Sequence, residues 1–355
     1  MSRYAQALRP VIIVLVVIAT GMVVWWGATG LADWTNGFSF GGDADTTIVA
    51  GETVTVVIPE GSTARSIGTL MQEEGIVLAS EFEDAVGARG VSAELQAGTY
   101  ELVTGTQADT IIDILITGPV VETYWITVQE GLRVTEILDL LARDTPHDRS
   151  AFEAALLSGG VTSTLLPEGD PTLVAWEGLL FPDTYEFAFD ASATDITGLL
   201  ARTMEQRVGS VDWSGLEEAG FTVYEGLVAA SLIESEAAVD VDRPQIGSVI
   251  SNRLEIGMPL QIDATVLYAL DRRGGGVTLD DLEVDSPYNT YQVTGLPPTP
   301  IGAPGLASLE GAADPDETDF LYYVLTSTDG THSFTASYDE FLQFKQQAKD
   351  DGVIP

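Results

Sequence analysis

The apolar residues are distributed unevenly along the chain, and the longest apolar run lies near the N-terminus. Residues 11–32 include no charged side chain, and a helix of about 20 apolar residues crosses the hydrocarbon core of a bilayer. A cleaved signal peptide is the competing interpretation. This run is long for the apolar part of a signal peptide, and it lacks a clear cleavage site of small residues. The pattern therefore predicts a retained transmembrane helix at 11–32.

Basic residues on either side of this run orient the predicted helix. Arg3 and Arg9 precede it, and no Lys or Arg follows it before Arg65. Because the cytoplasmic flanks of membrane helices are enriched in basic residues, we expect a cytoplasmic tail at 1–10 and an extracytoplasmic location for the bulk of the chain. The expected location is the cell membrane, with a single span.

A linker and a short strand–turn–helix pattern follow the apolar run. Residues 33–50 are rich in Gly, Thr and Asp, which predicts an exposed linker. Residues 53–58 suit a short strand, a Pro-Glu-Gly turn comes next, and Ser62 or Thr63 could cap an amphipathic helix.

The same pattern returns further along the chain. Residues 124–142 again predict a strand, a turn with the sequence Gln-Glu-Gly and an amphipathic helix, so that Gly131 matches Gly61. Between the two copies, residues 95–118 predict another strand, a Gly-Thr turn and a helix. One such unit cannot bury much apolar surface. We therefore expect a weak internal repeat of small α+β units that pack together.

The second half of the chain mixes helical and strand patterns. Residues 193–208 and 214–238 predict helices, and residues 321–334 predict two strands joined by an Asp-Gly turn. In between, residues 244–305 are dominated by uncharged polar residues, Gly, Pro and Tyr. Such a segment in an acidic protein predicts a groove that hydrogen-bonds a neutral polar polymer. The expected fold class is α+β.

Composition and charge exclude several classes of function. The chain has 54 acidic and 15 basic residues and a net charge of −39, which argues against binding nucleic acid or anionic lipid through a basic surface. Cysteine is absent, and the histidines are His147 and His332. No disulfide, thiolate nucleophile or histidine-rich zinc site can form. We expect neither a metal nor another cofactor.

Two carboxylates end an apolar helical stretch, GLVAASLIESEAAV at 226–239. Glu234 and Glu236 lie about 200° apart on a helix, so they cannot serve one small site together. Glu234 shares its face with small residues, among them Ala230 and Ser231, and these would let a bulky substrate approach. Low-dielectric surroundings would raise the pKa of Glu234 towards that of a general acid. The competing interpretation is a carboxylate that faces water at a helix end.

Five motifs in order connect this chain to a known family. They are WEGLLFPDTY at 176–185, AASLIESE at 229–236, SNRLEIGMPLQIDATVLYAL at 251–270, SPYNTYQVTGLPPTPIGAPG at 286–305 and GTHSF at 330–334. Together they resemble the YceG-like endolytic murein transglycosylase family (MltG), over about residues 50 to 345. LQAGTY and the first strand–turn–helix unit resemble that family's LysM-like region. The resemblance implies a LysM-like domain at 51–120 and a mixed α+β catalytic domain at 121–355.

The resemblance also implies a reaction. The family cleaves the β-1,4 bond between N-acetylmuramic acid and N-acetylglucosamine without water and leaves a 1,6-anhydro end. Its catalytic glutamate falls on Glu234, which would protonate the leaving oxygen and then accept the proton of the attacking C6 hydroxyl. One carboxylate suffices because the second nucleophile belongs to the substrate, in contrast to the two carboxylates of ordinary glycosidases. The chain departs from the family motif at Ala237, where a threonine is often found.

Other residues in the matched motifs are candidates for binding the glycan. They are Glu177, Asn252, Gln261, Asp263, Tyr288, Asn289, Tyr291 and His332. The competing interpretation for each is loop scaffolding, and Asn289 in particular suits an Asx turn. Pro304-Gly305 is more typical of a stiffened loop than of a substrate contact.

The expected partners follow from the resemblance and from the predicted anchor. They are peptidoglycan glycan strands, the membrane and the penicillin-binding proteins with which the family is associated, and nucleic acid is not among them. Two alternatives stay open. One is a catalytically silent protein that binds the wall or acts as a scaffold in envelope synthesis. The other is a two-carboxylate muramidase that releases reducing ends.

Overall fold

A computed structural model describes residues 48–120, 122–169 and 171–354 of the protein. The predicted tail and transmembrane helix at 1–32 lie outside these residues. Within them, no helix combines the length and the apolar character needed to cross a bilayer. The described chain is mixed α+β, as predicted, with twelve α-helices and three two-stranded sheets. It divides into two compact units between Val120 and Val121.

The first unit is a two-stranded sheet packed with three helices. Its elements are β1 (Thr53–Ile58), α1 (Ala64–Glu73), α2 (Ala79–Arg89), β2 (Gly98–Val103) and α3 (Ala108–Thr117). β1 and β2 pair antiparallel, with Thr53 opposite Val103. Val56 and Ile58 point into the core because alternate strand residues face the same side.

The turn after β1 shows why the first helix begins where it does. Gly61 has φ of +76°, a left-handed conformation that glycine adopts readily. Thr63 then caps α1, and its hydroxyl accepts a hydrogen bond from the backbone N–H of Ser66. The predicted strand at 53–58 and the predicted cap are both confirmed.

The second unit begins with the same order of elements, namely strand, two helices and a returning strand. These are β3 (Thr123–Thr127), α4 (Val134–Asp144), α5 (Arg149–Leu157) and β4 (Thr184–Ala188). β3 and β4 pair antiparallel, with Thr123 opposite Ala188. A helical layer and a hairpin follow. Their elements are α6 (Ala193–Ser210), α7 (Ser214–Glu218), α8 (Val223–Glu236), α9 (Arg243–Glu255), α10 (Asp263–Ala269), α11 (Leu306–Ala313), β5 (Tyr322–Leu325), β6 (His332–Thr335) and α12 (Tyr338–Asp350).

Helix α8 is the centre of the second unit. All eight residues from Gly226 to Ile233 are buried, because α9, α10 and α11 pack around the helix. A helix that is enclosed on every side is apolar on every side, which explains the long apolar run in the sequence.

Two predictions for this half of the chain have different outcomes. The predicted helix over 214–238 is two helices, α7 and α8, because the chain turns at Gly220, where φ is +90°. The predicted hairpin is confirmed, since β5 and β6 pair antiparallel with Leu325 opposite His332.

Candidate active site

A cavity of about 480 Å³ opens beside the C-terminal end of α8. Its walls come from the turn after β3, the end of α8, helix α10 and the loop that leads into α11. Glu130, Arg133, Glu234, Arg273 and Ile301 are among the residues that line it. The cavity therefore combines both signs of charge with an apolar side, in a protein whose surface is mostly acidic.

Glu234 lines this cavity and is held in place by several hydrogen bonds. Its Oε2 accepts hydrogen bonds from Arg243 Nη1 at 3.0 Å, from the backbone N–H of Gly305 at 3.0 Å and from the Ser308 hydroxyl at 2.9 Å. Arg243 Nη2 lies 3.4 Å from Oε1. The side chains of Glu234 and Arg243 are each 8% exposed, so solvent screens this ion pair little.

The partners of Glu234 come from the starts of two helices. Arg243 is the first residue of α9, and its Nε also bonds Asp240 at 3.0 Å. Gly305 caps α11, whose N-terminal dipole favours a negative charge at that point. Ser308 is fully buried and contacts both Glu234 and Arg243. The surroundings of Glu234 are therefore polar on this side, and not the apolar wall that the helical pattern predicts.

Ser231 holds another wall of the cavity. It lies one turn before Glu234 on α8, and its hydroxyl accepts a hydrogen bond from the backbone N–H of Ile301 at 3.1 Å. A small residue here lets the segment leading into α11 pass close to α8. The small residues on the face of α8 that carries Glu234 thus let the backbone of this segment lie close to the helix, and they also leave room for the cavity.

Glu236 belongs to a different environment, as the helical geometry predicts. It does not line the cavity, and its carboxylate accepts a hydrogen bond from the Tyr323 hydroxyl of strand β5 at 2.9 Å. Burial raises the pKa of Glu236. Glu236 therefore supports the hairpin and does not share the site of Glu234.

Glu130 is a second acid of the cavity, and the sequence pattern does not single it out. It sits in the Gln-Glu-Gly turn after β3. This turn is bonded to the segment before α11, because Gly131 donates to Ala303 O at 2.7 Å and Ala303 donates to Leu132 O at 2.8 Å. Glu130 is exposed to solvent, but partial desolvation of its carboxyl group raises its pKa, and the negative charge of Glu234 raises it further.

Glu177, a predicted glycan-binding residue, lies under the site and not in the cavity. It is 2% exposed, and its carboxylate accepts hydrogen bonds from the Val134 backbone N–H at 2.8 Å and from the Tyr268 hydroxyl at 3.0 Å. Burial raises its pKa to about 7. Glu177 thus holds the start of α4 against α10, which orients the turn that carries Glu130.

The raised pKa of Glu177 predicts a pH dependence of stability. The folded protein holds this proton up to about pH 7, whereas the unfolded chain loses it near 4.5, so its contribution is fully present below 4.5. Stability should then fall by about 3 kcal/mol as pH rises through this window. We expect Glu177→Gln to remove this fall. Denaturant unfolding at pH 4.5 and pH 8 gives the free energies of unfolding of wild type and variant. If the difference between the two proteins is the same at both pH values, the expectation is contradicted.

Two predicted glycan-binding asparagines serve as scaffolds. Asn252 Nδ2 donates to the carbonyl oxygens of Thr318 and Phe320 at 3.0 and 2.9 Å, which holds the chain ahead of β5. Asn289 is 0% exposed, and its Nδ2 donates to two carbonyl oxygens at 2.9 Å each. Asn289 Oδ1 accepts from the Tyr291 backbone N–H at 3.1 Å, the geometry of an Asx turn.

Two predicted polymer-binding tyrosines of the 244–305 segment bond through their hydroxyl groups to other residues of the same segment. The Tyr291 hydroxyl donates to Asp263 at 2.6 Å, and the Tyr288 hydroxyl pairs with Thr299 at 2.7 Å. Gln261 has an exposed side chain and φ of +51°. None of these residues lines the cavity of Glu234.

His332 is linked to the site indirectly. Its Nδ1 and its backbone N–H both lie 2.8 Å from Asp242 Oδ2. Asp242 directly precedes Arg243, which bonds Glu234. The imidazole therefore anchors the turn that presents the arginine, and no metal-binding cluster involving it occurs among the described residues.

Sequence reasoning missed Arg243, Ser308 and Glu130. Their positions near Glu234 depend on how distant segments pack, which periodicity does not report. One signal was available in the composition, because arginines are scarce in this chain and four of them, Arg133, Arg243, Arg272 and Arg273, occur at or beside one cavity.

The chain matches known proteins over most of its length. A sequence model of the YceG-like family matches residues 56–347. An endolytic murein transglycosylase of Bacillus subtilis is 36% identical over 307 residues, which cover 83% of this chain and 84% of the relative. One of Streptococcus pneumoniae strain R6 is 30% identical over 305 residues, covering 78% of this chain but 55% of the relative.

A solved structure shares the fold. The crystal structure of a YceG-like protein from Listeria monocytogenes, at 2.6 Å, aligns with a TM-score of 0.55 and 32% identity. The alignment covers 82% of this chain and 99% of that one. The sequence and structure matches therefore cover both compact units.

Proposed function

Because the chain belongs to the YceG-like family, we propose that it is an endolytic murein transglycosylase that cleaves peptidoglycan glycan strands with Glu234 as its catalytic carboxylate. The bond cleaved is the β-1,4 bond between N-acetylmuramic acid and N-acetylglucosamine, and the product carries a 1,6-anhydro end. The observation that carries this proposal is the placement of Glu234 in a cavity, held by Arg243, Gly305 and Ser308.

The reaction needs two proton transfers and no water. One proton goes to the leaving glycosidic oxygen as its bond to the anomeric carbon breaks. The other leaves the C6 hydroxyl of the same sugar as that oxygen attacks the anomeric carbon. Holding the hydroxyl close to the reacting carbon favours this intramolecular attack over water.

The surroundings of Glu234 position its carboxylate for the second transfer. Its Oε2 accepts three hydrogen bonds, which fix the carboxylate at the wall of the cavity. The negative charge also stabilises positive charge that develops at the anomeric carbon, and burial strengthens this attraction. Arg243 keeps the carboxylate in one orientation, which a general base requires.

Product analysis tests the proposal. Purified peptidoglycan is digested with the protein, and the fragments are separated and weighed by mass spectrometry. We expect muramyl ends lighter by one water than reducing ends, which marks the anhydro product. Reducing ends would favour the muramidase, for which Glu130 beside Glu234 provides a second carboxylate. No cleavage of several peptidoglycan types would favour the silent wall-binding protein.

The membrane anchor and the first unit enter the proposal through the sequence. We propose that residues 11–32 anchor the protein in the cell membrane with residues 1–10 in the cytoplasm, supported by the position of the basic residues. We also propose that residues 51–120 form a LysM-like unit, supported by its order of strand, two helices and strand. Penicillin-binding proteins are proposed partners on the family resemblance alone.

A further inference from the structure

The cavity of Glu234 holds a second carboxyl group at close range. Glu130 and Glu234 both meet Gly305, because the Gly305 N–H donates to Glu234 Oε2 and the Glu130 carboxylate packs over the Gly305 Cα. A Cβ at position 305 would overlap Glu130 Oε1. The absence of a side chain at this position is therefore what admits the second acid.

The two carboxyl groups differ in their hydrogen bonds. Glu234 accepts from a guanidinium, a hydroxyl and a backbone N–H. Glu130 is exposed to solvent and makes no hydrogen bond to another described residue. Partial desolvation and the charge of Glu234 both raise the pKa of Glu130, as expected when two carboxyl groups share a site. The cavity thus holds two carboxylates bonded as acceptors, Glu234 and Glu136, and one carboxyl group of raised pKa, that of Glu130, without such partners.

We propose that Glu130 is the general acid that protonates the leaving glycosidic oxygen, while Glu234 is the base that takes the proton of the C6 hydroxyl. This division of roles rests on the proposed function and reassigns the first of its two proton transfers. Two titratable groups whose surroundings differ in this way are the usual basis for separate acid and base roles.

The proton balance of this scheme closes over one cycle. The Glu130 carboxylic acid gives its proton to the glycosidic oxygen as the bond from that oxygen to the anomeric carbon breaks. The C6 oxygen then bonds to the anomeric carbon, and its proton passes to the Glu234 carboxylate. After product release, Glu234 carries one proton more and Glu130 one fewer. Transfer of this proton from Glu234 to Glu130, directly or through water, restores the starting state.

The first unit provides a matched control for Glu130. Glu60 occupies the same place in the Pro-Glu-Gly turn after β1 that Glu130 occupies after β3. A Cβ on Gly61 would meet nothing within 4 Å, whereas a Cβ on Gly131 would lie 3.9 Å from Glu234 Cγ. The two turns share their sequence pattern, but only Glu130 lines the described cavity.

The test compares two substrates that differ in the leaving group. One is a natural glycan oligomer, whose leaving alcohol needs a proton. The other carries 4-nitrophenol as the leaving group on N-acetylmuramic acid, and 4-nitrophenolate departs without being protonated. For Glu130→Gln in the full chain, we expect kcat/KM on the natural oligomer to fall by roughly 100-fold. On the nitrophenyl substrate it should stay within about threefold of wild type, since the acid is no longer needed.

The pH profile supplies a second measurement. An acid must be protonated to act, so wild-type activity on the natural oligomer should decline as pH rises through the raised pKa of Glu130. Glu130→Gln should lose this decline, and Glu60→Gln should keep the wild-type rates and profile. Matching thermal unfolding of the variants confirms that all of them are folded.

The outcomes separate this inference from the proposed function. Equal losses of Glu130→Gln on both substrates, or activity of this variant on the natural oligomer within about threefold of wild type, would overturn the role of Glu130. If the products still carry anhydro ends, the proposed transglycosylase function stands. Reducing ends together with the expected leaving-group contrast would overturn the transglycosylase and keep Glu130 as the acid.

Discussion

Replacing Glu234 by glutamine is expected to lower the cleavage rate of peptidoglycan by roughly 1,000-fold, since a positioned acid or base contributes on the order of 10² to 10⁴ to the rate. The amide cannot accept a proton from the C6 hydroxyl. Its NH₂ group only donates hydrogen bonds, so it cannot accept one from the guanidinium of Arg243. Release of anhydro-muramyl fragments over time, followed by mass spectrometry, measures the change.

Glu236→Gln is the matched control for this experiment. The two glutamates are two residues apart on α8, yet Glu236 bonds Tyr323 and lies outside the cavity. We expect the control to retain activity within a few-fold of wild type, because the amide can still accept the hydrogen bond of the tyrosine. A large loss in Glu236→Gln with an active Glu234→Gln would reverse the assignment of the catalytic carboxylate.

Removal of Arg243 is expected to produce the largest loss of stability among single changes at the site. Arg243→Met leaves Glu234 buried without its cation, and breaking a buried ion pair from one side costs about 3–5 kcal/mol. Activity should fall as well, because the carboxylate loses the group that orients it. Denaturant unfolding gives the free-energy change, and peptidoglycan digestion gives the activity.

Two further variants test the physical cause of this loss. In Arg143→Met the side chain removed is 70% exposed and pairs with the neighbouring Asp144, so the change should stay within about 1 kcal/mol. The double variant Arg243→Met with Glu234→Gln should recover part of the lost stability, because no unpaired charge stays buried. A double variant as unstable as the sum of both single variants would contradict this account.

Local elements could be predicted from the sequence because their signals are local. The strand at 53–58, the cap at Thr63 and the β5–β6 hairpin follow from alternation, turn residues and capping chemistry within a few positions. Strand pairing is different, since β1 pairs with β2 and β3 with β4 across two intervening helices each. Periodicity does not identify such partners.

The candidate site shows the same division between local and distant information. The helical period separates Glu234 from Glu236, but it does not report which segments surround the end of α8. The polar segment over 244–305 suggested a groove for a polymer. In the structure, Asn289 bonds carbonyl oxygens of its own loop, and Tyr291 bonds Asp263. A polar composition serves a long loop as well as a substrate, because buried backbone groups also need partners.

The Gly-Ala-Pro-Gly sequence at 302–305 has the composition of a loop in which glycine gives backbone flexibility and proline gives stiffness. Neither property explains its two glycines. Gly305 has φ of −77°, which any residue can adopt, and Gly302 is not among the residues with positive φ. A Cβ on Gly302 would lie 2.7 Å from the carbonyl oxygen of Gly131, and one on Gly305 would overlap Glu130. Adding even one methyl group at either position would therefore bring it too close to Gly131 or to Glu130.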